Sequence, residues 1–171
     1  MRTHSGFSLI ELLVTLAVAA ILIAAATPSL SSFFRVNRVA GATNELVLSL
    51  QLARAEAARR GRPVSVCRSA DGTTCSGDWA DGWIVFADAN VTGTPSPTAA
   101  GAEVIRVFGA LDPSLSLTGP DFTRFAVDGS IAGAAAELEF TLTVARCTGQ
   151  QRRRIFLNRV GRVRSQVLAC A

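Results

Sequence analysis

The apolar pattern changes period twice along the chain. Residues 7–26, FSLIELLVTLAVAAILIAAA, form a run of twenty with one charge, Glu11. As a helix that run measures about 30 Å, enough to cross a bilayer. The helical spacing then continues: Leu46, Leu50, Ala53 and Ala57 recur at intervals of four, three and four. Arg54, Glu56, Arg59 and Arg60 lie on the other faces. This predicts an amphipathic helix laid on a folded body. Pro28 is expected to kink or open it, because proline has no N–H and clashes with the preceding turn. Gly41 weakens it by about 1 kcal/mol relative to alanine. Arg59 and Arg60 suit the negative end of the helix dipole, Gly61 is a natural C-terminal cap, and Pro63 forbids continuation. A continuous helix over 7–60 would measure roughly 81 Å.

After Pro63 the period becomes two. Val64 and Val66 alternate with Ser65 and Cys67. Further strands are expected at 82–86, 104–108, 122–127 and 138–145. The last pair is expected at 154–158 and 162–166, joined by a turn near Val160-Gly161. Asp128-Gly129 marks another turn. Residues 89–102 read as a surface loop, Asp88 and Asn90 as turn-formers rather than metal ligands, and Trp79 and Trp83 as core. The expected fold is α+β: a long N-terminal α-helix, its first half transmembrane, packed on a small antiparallel β-sheet head. The expected divisions are a leader at 1–6, a membrane segment at 7–27, an amphipathic segment at 28–61 and a β-rich head at 62–171.

Composition removes most chemistry. The chain has 171 residues, one ordinary domain's worth. All 17 basic residues are arginine, so there is neither a Schiff-base lysine nor a Walker phosphate loop. The one histidine, His4, lies in the first few residues, which argues against a Ser-His-Asp triad or a histidine-containing zinc site in the head. No catalytic constellation, cofactor or metal is expected. Charge is uneven: residues 1–139 hold ten arginines and all thirteen acids, a net −3. Residues 140–171 hold Arg146, Arg152, Arg153, Arg154, Arg159, Arg162 and Arg164 and no acid, a net +7. Such asymmetry points to a polyanionic partner.

A carboxylate inside a membrane run costs about 2–3 kcal/mol unless paired, so Glu11 reads as functional. An ordinary signal peptide cut near Ala26 is the competing reading, supported by the small residues 24–27. The Gly6-Phe7-Ser8-Leu9-Ile10-Glu11 stretch resembles the processing site of type IV prepilins and pseudopilins. The resemblance implies cleavage between Gly6 and Phe7 by a prepilin peptidase and N-methylation of Phe7. It also implies that Glu11 pairs with the N-terminal amine of a neighbouring pilin subunit during assembly. The expected location is a single pass in the bacterial inner membrane with the head in the periplasm, then a pilus or pseudopilus.

Export to an oxidising compartment makes disulfides the default for Cys67, Cys75, Cys147 and Cys170. Four cysteines allow three connectivities. Local pairing, Cys67–Cys75 and Cys147–Cys170, is favoured over a four-cysteine zinc site, since no C-x-x-C pair is present.

Residues 79–88, WADGWIVFAD, and the terminal Gly161-Arg162-Val163-Arg164 resemble the GspH/FimT type of minor pilin. In the FimT branch a Gly-Arg-x-Arg motif is associated with DNA capture in natural transformation. Two arginines two apart on a strand share one face at roughly 6.6–6.8 Å. Consecutive phosphates advance about 6.8 Å over two steps, so Arg162 and Arg164 are expected to bind the DNA backbone. Gly161 belongs to the motif, and Arg152, Arg153, Arg154 and Arg159 would widen the patch. With Phe156 as the one interleaved aromatic, binding should be phosphate-led and indifferent to sequence. The alternative is a structural minor pseudopilin of a type II secretion system, or a pilus-priming subunit, without DNA binding.

Overall fold

One helix, α1 (Leu9–Arg60), opens the fold and runs through two compact units, one reaching to Val36 and one beginning at Asn37. The computed structural model describes residues 8–89, 93–133 and 137–170, with residues 25–29 by backbone alone. In the first unit Leu9, Ile10, Leu12, Leu13, Leu16, Ile21, Leu22 and Ile23 are all exposed. Among the described residues no helix is long and apolar enough to cross a membrane. Phe7 and the side chains of 25–27, which belong to the expected 7–27 span, lie outside the described residues. The opening expected at Pro28 is absent from the backbone, which stays helical there. One proline removes one N–H, and the remaining bonds of the turn hold.

In the second unit the helix buries Val39, Ala42, Leu46, Leu50, Ala53 and Ala57, spaced by three and four. They pack on two antiparallel four-stranded sheets. The first has the order β3 (Glu103–Phe108), β2 (Trp83–Ala87), β1 (Val64–Arg68), β5 (Phe122–Phe125). The second has the order β4 (Leu115–Thr118), β6 (Leu138–Val144), β7 (Arg152–Leu157), β8 (Val163–Leu168). One core joins Val64, Val66, Trp83, Val85 and Phe125 to Leu117, Phe140, Leu142, Ile155 and Leu157. α1 ends at Arg60, and Gly61 takes the left-handed conformation, φ 61°, that a helix C-cap needs. Arg59 and Arg60 hydrogen-bond to Glu56 and hold its carboxyl down at about 2. Arg60 also reaches Glu103 at 2.6 Å, tying the helix end to β3.

Three expectations need correction. β4 was not anticipated: its buried Leu115 and Leu117 alternate with exposed Ser116 and Thr118, but four residues between prolines carry little pattern. The loop before β3 is not all surface, because a second apolar cluster of Cys67, Ile84 and Phe86 packs against Cys75, Ala102 and Phe122. β2 is therefore buried on both faces. Asp88 is no exposed turn-former: its Oδ2 accepts from Ser65 Oγ and from Arg124 Nε, both at 2.8 Å, in a buried ion pair. Asn90 lies outside the described residues.

Candidate nucleic-acid interface

The site is built on the β7–β8 hairpin. Strand β7 leaves the core at Leu157, and residues Asn158–Arg162 reverse the chain. Asn158 organises the reversal: its carbonyl accepts from Gly161 N and its Oδ1 from Arg162 N, both at 2.9 Å. The Arg159 carbonyl accepts from Ile131 N at 2.9 Å, fastening this turn to the one after β5. Gly161 has φ 74°, and a Cβ there would run into the Gly129 carbonyl. Only glycine fits that backbone in that space.

Arg162 is exposed and sits one residue before β8, not on the strand as expected. Asn158 retains it in the turn. Arg164, within β8, is exposed, while Val163 between them packs toward the core. Arg162 and Arg164 nevertheless line one shallow recess of about 450 Å³, together with Glu137 and Asn158.

The seven-arginine segment does not form one patch. Register puts Arg152, Arg154 and Phe156 on the outer face of β7, with Arg164 opposite Phe156 on β8. Arg153 shares the other face with Ile155, and its Nη1 bonds the Gln150 carbonyl at 3.0 Å. Arg159 stands exposed in the turn. Nor is the segment without counter-charges in space. Glu137 oxygens lie 3.2 Å from Arg164 Nη2, and Glu139 Oε1 lies 2.8 Å from Arg154 Nε. Both guanidiniums also cover Phe156, Arg164 at 4.8 Å and Arg154 at 5.8 Å from the ring centre. That cover leaves the ring little room to stack on a base. Among the described residues no carboxylate pairs with Arg159 or Arg162.

One arginine of the surrounding surface was not picked out by sequence reasoning. Arg54 of α1 passes beside both turns, so that a Cβ at Gly129 or Gly161 would meet its Nε at 3.0 or 3.1 Å. The two turn glycines were the available signal.

Elsewhere, disulfides join Cys67 to Cys75 and Cys147 to Cys170, each with Cα atoms 5.6 Å apart. Gly6 and Phe7 lie outside the described residues, and Glu11 is exposed in the first turn of α1. Among the described residues no cluster of three His, Cys, Asp or Glu is placed to hold a metal.

Residues 42–161 match the profile of the family described as type II transport protein GspH. Residues 1–27 match the prokaryotic N-terminal methylation motif. No curated protein is similar enough in sequence to count as a match. The fold is similar to that of the type IV minor pilin FimU of Pseudomonas aeruginosa PAO1, with TM-score 0.60 and 20% identity over 79% of this chain and 96% of that one. It is also similar to the minor pseudopilin EpsH from the type 2 secretion system of Vibrio cholerae, with TM-score 0.50 and 13% identity over 77% and 97% of the two chains.

Proposed function

Since the chain belongs to the GspH family and is a minor pilin or pseudopilin subunit, we propose that its head binds DNA through the β7–β8 turn. In this reading prepilin peptidase cuts between Gly6 and Phe7, and Phe7 is N-methylated. Residues 7–27 anchor the chain in the inner membrane with the head in the periplasm. Glu11 pairs with the amine of a neighbouring subunit as the chain enters a filament. The head then takes up DNA by its phosphates, during natural transformation.

The observation that carries the reading is the turn itself. It holds Arg159 and Arg162 exposed and, among the described residues, unpaired with a carboxylate, next to Arg164, on a backbone that Gly161 and Asn158 pin in place. A guanidinium suits phosphate because its planar fork bonds two oxygens and it stays charged. Arg164 would exchange Glu137 for a phosphate, and Arg152, Arg153 and Arg154 contribute less directly.

The test is a titration of detergent-solubilised full chain with duplex DNA at several salt concentrations. Neutralising four to six phosphates gives a log K against log[salt] slope of about −4 to −5. Arg162→Gln with Arg164→Gln should remove most binding and lower the slope by about 2. Unrelated duplexes of one length should bind alike. A parent chain that binds no DNA at low salt refutes the proposal.

The Glu137–Arg164 and Glu139–Arg154 pairs favour a second reading, in which this face meets an acidic neighbour in a pseudopilus and no DNA. The same titration separates the two.

A further inference from the structure

Resting on the DNA reading above, we infer that Arg54 of α1 is a further phosphate-binding residue, so that the interface spans helix and hairpin. Two turns distant in sequence from each other and from the helix converge on this side chain. At Gly129 an added Cβ would stand 3.0 Å from Arg54 Nε and 3.2 Å from its Cγ. At Gly161 it would stand 3.1 Å from Nε and 3.2 Å from Cδ. Both glycines have left-handed φ, 75° and 74°, and the Gly129 carbonyl rests against Gly161. The shaft of Arg54 thus lies along a trough that only glycines leave open.

The trough fixes where the charge ends up. The shaft is held from Cγ to Nε, so the guanidinium emerges beside the turn that presents Arg159 and Arg162. Arg54 is itself exposed, and among the described residues no carboxylate pairs with it. Arg54 therefore stands beside the turn that carries exposed Arg159 and Arg162, and among the described residues none of the three is paired with a carboxylate. Like charges gathered this way repel one another, and an anion relieves the repulsion. An arginine that only packed its shaft could send its head toward any acid within reach. Held by the trough, Arg54 carries a directed charge at low conformational cost.

The experiment compares Arg54→Met and Arg54→Lys in the full chain, titrated with duplex DNA across salt. Methionine keeps an unbranched shaft in the trough and removes the charge. Lysine keeps both shaft and charge. One lost phosphate contact should weaken binding about eightfold at 0.1 M salt and reduce the slope by about 0.9 for Arg54→Met. Arg54→Lys should retain most of the affinity and the slope. If Arg54→Met binds like the parent while the parent binds with a steep slope, the inference fails and the DNA reading stands. Equal loss in both variants would assign Arg54 a purely positioning role and also overturn it. A parent that binds no DNA fails the underlying reading first.

Discussion

Replacing Gly161 by alanine tests whether the arginine turn is held by backbone packing. The cost has two parts. A non-glycine residue at φ 74° takes a left-handed conformation that costs about 1–2 kcal/mol. The Cβ then meets the Gly129 carbonyl, which is backbone and cannot swing aside, and relief by shifting the turn costs a further 1–3 kcal/mol or so. Gly149 has a similar φ, 64°, with nothing within 4 Å of its Cβ position, so Gly149→Ala carries the first part alone. Urea unfolding can be followed by the fluorescence of Trp79 and Trp83, both buried in the core of the head. A total of about 2–5 kcal/mol moves the midpoint by roughly 1–2 M for a domain of this size. Gly161→Ala should lose more than Gly149→Ala by the clash alone, and it should weaken DNA binding as the turn shifts. Arg162→Gln should lose binding at parental stability, since an exposed arginine contributes little to the fold. If Gly161→Ala unfolds within about 0.5 kcal/mol of Gly149→Ala, the Gly129 carbonyl does not hold the turn and Arg54 lies in no glycine-lined trough.

Two further outcomes are expected. Arg124→Met takes the counter-charge from the buried Asp88 carboxylate, which keeps its Ser65 hydrogen bond, and should cost about 3–5 kcal/mol, whereas adding Asp88→Asn should cost less than the two singles together; independent, additive effects in the double-mutant cycle would show that the pair is not coupled. Mass spectrometry of the membrane-extracted protein should place the N-terminus at a methylated Phe7; an end near residue 27 would mean ordinary signal-peptide cleavage.

The helix register was legible at Leu46, Leu50, Ala53 and Ala57, which repeat every three or four residues, and the structure extends the same buried stripe back to Ala42 and Val39. β6 was legible for the same reason at period two, from Leu138 to Val144. The electrostatics were not legible in this way. Arg164 finds Glu137 across 27 residues, and Arg124 finds Asp88 across 36, through strand pairings that charge counting along the chain does not capture. A segment of net +7 therefore presents less charge to solvent than its composition suggests, because acids just outside it fold back onto it. The motif Gly161–Arg164 was visible as letters, but the reason for its glycine was not. That reason lies with Arg54 and Gly129, which the fold alone brings together.

The hairpin that carries the arginines is also a mechanical element. Among the described residues β8 is an edge strand, hydrogen-bonded to β7 alone, and such a strand ordinarily peels one rung at a time when pulled from a loose end. Here it has no loose end. The 158–162 turn closes one end and the Cys147–Cys170 bridge closes the other, making a covalent ring around β7 and β8. A tug on the turn is shared by both strands at once and passed to β6 as shear along the sheet. For a head at the surface of a filament, a load on the basic turn would have to dislodge the ring as a whole before it could unravel the strand.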